Sequence, residues 1–346
     1  MNGWIILDKP LGLGSTQGVS AVKRALRQGG YAKVKVGHGG TLDPLATGVL
    51  PIALGEATKL AGRMLESDKV YDFTVQFGTQ TDTLDAEGVV IETSDVRPTL
   101  GDVEAVLSHF TGPISQMPPA YSALKVDGQR AYDLARAGEE VVLKERAVVV
   151  YALTTSPPAG EDSGACERSE LAQLGEGGLL SPPSTPSPSA TKQRAAKSHY
   201  PLPQGERNET AQLHCITLTA HVSKGTYIRS LARDIALALG TVGHVIMLRR
   251  VKAGPFTLDQ AISLDKLDES AKSGSLEACL LPLRAALDDI PALSLTPDQA
   301  DALRVGRPLN GIAAPDGLAF AQHGETLIAL VQISDGNVTV ERGFNM

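Results

Sequence analysis

The 346 residues include only three cysteines, Cys166, Cys215 and Cys279, odd in number and without C-x-x-C spacing. Such usage excludes a disulfide scaffold and a cysteine-based metal centre, and the three are expected to be inert thiols. No apolar run approaches the roughly 18 residues of a membrane-spanning helix. The stretch Met1 to Gly12 has neither the basic flank nor the long apolar core of a secretory signal. A cytoplasmic protein with no membrane partner is the expectation. No internal repeat is present. Positive charge is not in excess either: 32 basic against 39 acidic side chains leave a net −7, which argues against wholesale binding of a polyanion.

The charge that is present is unevenly spread. Residues 1–64 hold eight Lys or Arg against three acids, and 221–252 hold six against Asp234 alone. Residues 253–346 hold six basic and thirteen acidic side chains. Local fields, not the total, guide a phosphate backbone, so a nucleic-acid face built from the first two segments stays open. Hydrophobic content of 42% with 21% charged residues is that of an ordinary globular protein, and the length predicts about two domains.

Read in order, Trp4-Ile5-Ile6-Leu7 is a short strand closed by Asp8-Lys9-Pro10. A helix opens at Ser15 or Thr16, turns Val19, Val22 and Leu26 inward and ends near Gly29-Gly30. Thr58 to Leu65 reads as helical. Lys69 to Phe77 alternates, with Tyr71, Phe73, Val75 and Phe77 on one face of a strand. Leu100 to Phe110 reads as a helix, Met117 to Lys125 as an extended proline-stiffened segment, Ala131 to Arg136 as a short helix, and Val148 to Thr154 as a strand.

From Ser156 to Gln212, 57 residues hold eight of the 21 prolines and few large apolar side chains. Such a segment cannot offset its ordering entropy by burial and is expected to be a largely disordered insertion, with a weak helix around Glu167 to Leu174. Cys215 to Val222 is a strand that partners Val148 to Thr154, which puts the insertion at a hairpin tip. Ile228, Leu231, Ile235 and Leu239 line a helix stopped by Gly240, and Val242 to Leu248 is a strand ending in Arg249-Arg250. Near the end, Asp335-Gly336-Asn337 between two apolar runs signals a hairpin. A small β domain is expected over 287–346.

Between the first helices lies Gly37-His38-Gly39-Gly40-Thr41-Leu42-Asp43-Pro44-Leu45-Ala46-Thr47-Gly48. Glycines and a proline around one aspartate and one histidine make a loop that bends sharply or lies close to something. An Asp before Pro is commonly no more than a turn residue.

The segments Gly3 to Pro10, Gly37 to Gly55, Lys69-Val70-Tyr71, Thr81 to Gly88, Pro118 to Lys125, Ser223 to Arg229 and His244 to Arg250 together resemble the bacterial tRNA pseudouridine synthases of TruB type. The resemblance covers most of residues 1–260 outside the insertion. It implies an α+β fold: a mixed, mainly antiparallel sheet flanked by helices in a catalytic domain over 1–286, interrupted by 156–212, then a PUA-like β module. It also implies isomerisation of the T-loop uridine, position 55 of tRNA, without cofactor or metal. The partner would be the T-arm and T-loop of tRNA, with no obligate protein partner. By matching motif, Asp43 would be the catalytic carboxylate, Tyr71 the aromatic against the base and Arg229 the cation paired with Asp43. Lys224 and Tyr227 would be neighbours, Leu248 a pocket wall, and His38 a contact to the RNA loop. A tRNA-folding chaperone and a guide-dependent relative are the alternatives.

The chemistry is consistent with these residue types. A carboxylate near C1′ can attack as a nucleophile or assist proton removal from the sugar, and the sequence leaves both routes open. An adjacent guanidinium favours the charged carboxylate where water is excluded. A base in a folded loop must leave its stack and be held against an aromatic or apolar side chain. Lys9, Lys23, Arg24, Lys59, Arg249 and Arg250 are candidates for neutralising phosphates.

Overall fold

A computed structural model describes residues 1–121, 125–126, 129–130, 143–156 and 211–345. The elements in order are β1 (Gly3–Lys9), α1 (Ser15–Gln28), β2 (Val36–His38), β3 (Ala46–Leu54), α2 (Ala61–Glu66), β4 (Lys69–Phe77), β5 (Thr79–Thr81) and β6 (Val90–Thr93). There follow α3 (Leu100–Leu107), β7 (Gly112–Gln116), β8 (Lys125–Val126), β9 (Gln129–Arg130), β10 (Arg146–Thr155), β11 (Cys215–Val222), α4 (Ile228–Ala238), β12 (Gly243–Ala253) and β13 (Phe256–Thr257). The chain closes with α5 (Leu264–Lys272), β14 (Ala292–Ser294), α6 (Pro297–Arg304), β15 (Gly317–His323), β16 (Thr326–Ser334) and β17 (Asn337–Gly343).

A nine-stranded sheet runs β1-β3-β12-β4-β11-β10-β7, with β2 beside β3 and β13 beside β12. Its neighbours are antiparallel except β3 and β12, which run parallel through Ala46↔Leu248 and Arg250↔Gly48. Strand alternation sends consecutive side chains to opposite faces, so β1 serves two cores. Ile5 and Leu7 join the core under α1, α3, α4 and α5, while Trp4 and Ile6 join a second core with Ala57, Leu60 and Met64. The second core also takes Leu327, Leu330 and Phe344, so the C-terminal sheet β14-β15-β16-β17 packs directly on the large one.

Most expected elements form, with instructive differences. Helix α1 is capped by Gly14 rather than by Ser15 or Thr16, because the Ser15 hydroxyl is turned instead to the main chain of Leu42. Strand β12 runs on through Arg249 and Arg250 to Ala253, since both side chains find partners within the fold. The helix read over Thr58 to Leu65 starts as a 3₁₀ turn at Gly55–Leu60. Strands β10 and β11 pair as expected, and Ser156 and Gln212 at the ends of the expected insertion are tied to Thr217 and Thr99 respectively. The interior of that insertion, Cys166 and the helix expected over Ala131 to Arg136 lie outside the described residues. Cys279 is a free thiol.

Candidate active site

The loop between β2 and β3 is fastened from beneath. The Arg250 guanidinium, fully buried, donates to the carbonyls of Val49 (2.7 Å), Thr41 (3.2 Å) and Gly40 (3.3 Å). Lys9, also fully buried, donates to Leu13 (2.6 Å), Pro10 (3.0 Å) and Pro44 (3.3 Å). Ser15 Oγ accepts from Leu42 N at 2.7 Å and donates to Leu42 O at 2.9 Å. Gly48 takes φ +97°, and a Cβ there would meet the Arg250 carbonyl oxygen at 2.2 Å, so only glycine lets β12 approach here.

Asp43 opens a hydrogen-bonded turn, Ala46 N donating to Asp43 O at 3.1 Å, with Pro44 next in line. It is therefore a turn residue, and its side chain is also directed at a cation. Arg229 Nη2 donates to Asp43 Oδ2 at 2.8 Å and to Tyr121 O at 3.0 Å. Its Nη1 donates to Asp85 Oδ2 and to Thr83 O, each at 2.9 Å. The Arg229 and Asp85 side chains are 8% and 5% exposed, whereas Asp43 is 44% exposed. The guanidinium thus bridges one buried carboxylate and one that faces solvent. Asp85 is held in turn by Thr83 Oγ1 (2.5 Å) and Glu87 N (3.1 Å). Leu84 between them has φ 61°, a region a leucine seldom adopts, and this bend presents Thr83 O and Asp85 together.

Above this network lies a cavity of about 330 Å³ lined by Asp43, Tyr71, Tyr227, Arg229, Leu248 and Arg250, with Leu42, Lys69 and Ile228 among the remaining walls. Tyr71 packs on the margin of the main core and presents its ring to this space. Burial pushes the Lys9 ammonium down to about 8, against the attraction of Asp43. Burial, reinforced by Arg250, does the same to Lys69, whose Nζ is enclosed by the carbonyls of Met64, Leu65 and Ser67 at the end of α2. Among the described residues, no group of histidine, cysteine or carboxylate side chains is gathered to hold a metal ion, and no helix is long and apolar enough to cross a membrane.

Residues 24–161 match the TruB family pseudouridylate synthase N-terminal domain, and residues 229–288 match the tRNA pseudouridylate synthase B C-terminal domain. The tRNA pseudouridine synthase B of Novosphingobium aromaticivorans is 57% identical over 346 residues, covering 100% of this chain and 98% of that one. The chain belongs to the TruB pseudouridylate synthase family. The tRNA pseudouridine synthase B of Zymomonas mobilis subsp. mobilis is 51% identical over 345 residues, covering 100% of this chain and 96% of its own. Among solved structures, a Cbf5-Nop10-Gar1 complex superposes with TM-score 0.64 at 23% identity, over 99% of this chain and 85% of that one. An H/ACA RNP bound to a substrate RNA containing 2'-deoxyuridine gives 0.63 at 21%, over 99% and 85%. At such identities the likeness is one of fold.

In this TruB-family chain Asp43, Tyr71, Tyr227, Arg229 and Leu248 come together around one cavity. Lys224 stands beside it, in an ion pair with Glu66 and against a neighbouring cavity that Gly225 and Leu65 share with the first. His38 lies outside the cavity's lining; burial, with Arg250 nearby, lowers its pKa, and its Nδ1 has no partner among the described residues. Lys9 and Arg250, expected to neutralise phosphates, are buried and donate to main-chain carbonyls of the loop, and Arg250 also lines the cavity. Arg249 is partly exposed and pairs with Asp8 at 3.0 Å. Asp85 was not among the expected site residues. A signal for it exists: a buried guanidinium has five N–H groups to satisfy, more than one carboxylate can accept.

Proposed function

We propose that the chain isomerises uridine to pseudouridine in tRNA, at the T-loop uridine of position 55, with Asp43 as the catalytic carboxylate. The observation that carries this reading is the Asp43 carboxylate, 2.8 Å from the Arg229 guanidinium, beside Tyr71 in one cavity. Pseudouridylation of tRNA is also in the names of the relatives. The reaction breaks the N1–C1′ bond, turns the base and joins C5 to C1′; the C5 proton is lost and N1 gains one. No atoms or electrons are added, so the step requires neither redox carrier nor metal.

Asp43 acts at C1′, either by direct attack or by assisting removal of a sugar proton. Both demand an ionised carboxylate, and the bridging guanidinium supplies the countercharge without blocking the solvent-facing side. Tyr71 and Leu248 hold the extruded base, the ring by stacking and the leucine by contact. The Tyr71 hydroxyl helps to move the C5 proton.

Release of tritium from C5-labelled uridine in a T-arm transcript tests the reading. The unaltered protein releases it with no added protein or guide RNA, and Asp43→Asn keeps tRNA binding but loses release. Undiminished release by Asp43→Asn would remove Asp43 from the mechanism. Refolding of tRNA without release by the unaltered protein would make it a chaperone, and release only with an added guide would make it guide-dependent.

A further inference from the structure

Helix α4 carries Arg229 in its first turn, yet its N-cap is Tyr227, a residue with no side-chain oxygen able to reach back to the first turn, and no side-chain cap bond forms there. In a capping box the residue three positions on returns a carboxylate or amide to the cap's N–H. Here that residue is Ser230, and its hydroxyl points elsewhere, to Met117 O at 2.8 Å. The cap's main chain is taken instead by Gln116, 111 residues earlier at the end of β7. Gln116 Oε1 accepts from Tyr227 N at 2.8 Å, and Gln116 Nε2 donates to Tyr227 O at 3.0 Å. Only 2% of Gln116 is exposed, so neither bond has water as a ready substitute.

We propose that Gln116 is a positioning residue for the isomerisation: its amide sets the main chain of Tyr227, and through it the Tyr227–Arg229 wall of the cavity. The proposal rests on the function given above. The strand end and the segment after it follow the helix closely, since Met117 O also accepts from Arg233 at 3.3 Å and Tyr121 O accepts from Arg229 Nη2 at 3.0 Å. Of these contacts, only the Gln116 amide fixes both main-chain polar groups of the cap residue. Its loss takes the Gln116 acceptor from Tyr227 N–H and lets the first turn of α4 shift relative to the loop that holds Asp43. Displacement of a catalytic group by about 1 Å is enough to slow chemistry by up to about 100-fold.

Two variants separate positioning from simple stability. Gln116→Met keeps the volume and removes both bonds; Ser230→Ala removes a bond across the same β7–α4 contact without touching Tyr227. In single-turnover tritium release at saturating T-arm RNA, Gln116→Met is expected to fall about 10- to 100-fold with RNA Kd within about twofold. Ser230→Ala is expected to lose thermal stability and keep its rate. Hydrogen exchange, which needs no activity, is expected to show the Tyr227 amide protected in the unaltered protein and Ser230→Ala, and exposed in Gln116→Met. An unchanged rate in folded Gln116→Met, or an equal fall in both variants, overturns the proposal.

If Gln116→Met does not fold, Gln116→Glu serves. Its carboxylate keeps the acceptor for Tyr227 N–H but sets an oxygen against Tyr227 O, and protonation restores a donor. Its rate relative to the unaltered protein rises as pH falls; a flat ratio sinks the idea. Absence of isomerisation by the unaltered protein would defeat the proposed function, while exchange at Tyr227 still judges the cap.

Discussion

Arg229 does two things with one planar group, closing a buried pair with Asp85 and facing Asp43 at the cavity wall. Lysine has neither the fork nor the reach to do both, so Arg229→Lys is expected to lower single-turnover tritium release by about 100-fold or more while the protein stays folded. Asp85→Ala removes a partner from a buried charge, which costs about 3–5 kcal/mol, measurable as a lower midpoint in urea. Two histidines add a pH dependence. Burial lowers the pKa of both His38 and His244 from the ordinary 6.5. The unfolded chain therefore takes up protons that the folded one refuses, and stability is fully present above pH 6.5 and lost as pH falls through the depressed folded values. Thermal melts at pH 7.5 and 5.5 should show the drop, and His244→Gln should flatten it.

At the scale of elements, the loop that holds Asp43 is a rigid part because α1, β1 and β12 each contribute a buried side chain to hold it: Ser15, Lys9 and Arg250. Ser15→Ala orphans the Leu42 amide, so a loss of about 1–3 kcal/mol in chemical denaturation, with reduced turnover, is expected. These anchors explain what could and could not be read beforehand. The pairing of Asp43 with Arg229 was legible only through the resemblance to the TruB-type synthases, whose matching segments hold both residues. The burial of Lys9 and Arg250 was not, because a charged residue in a basic segment is ordinarily surface and only the folded loop supplies enough carbonyls to enclose it. Gln116 left a faint trace: a helix start at Tyr227 with no capping side chain implies that something distant completes it. The turn at Asp335-Gly336 was plain, and both residues take positive φ, 50° and 72°, as a two-residue hairpin demands.

Over the whole molecule, the two positively charged segments of the chain converge, since β3 from the first lies beside β12 from the second. Binding of tRNA should weaken steeply with salt, log K falling linearly with log salt concentration; a flat profile by filter binding would place recognition elsewhere. The hairpin of β10 and β11 pairs up to Thr155↔Leu218. Replacing residues 157–210 by a short turn should leave tritium release near that of the full chain, and collapse of expression or activity would show that they contribute to the fold.

The parallel contact between β3 and β12 has a consequence in time. Asp43 and Arg229 stand 186 residues apart. At about 5–20 residues per second, a ribosome exposes the carboxylate roughly 10 to 40 s before its guanidinium exists. During that interval the growing chain has the Asp43 carboxylate but neither the Arg229 guanidinium nor the Tyr227 and Leu248 walls of the cavity. The cavity around Asp43 is therefore complete only once β12 lies beside β3. A chain that stops short of Arg229 lacks the cation that Asp43 faces.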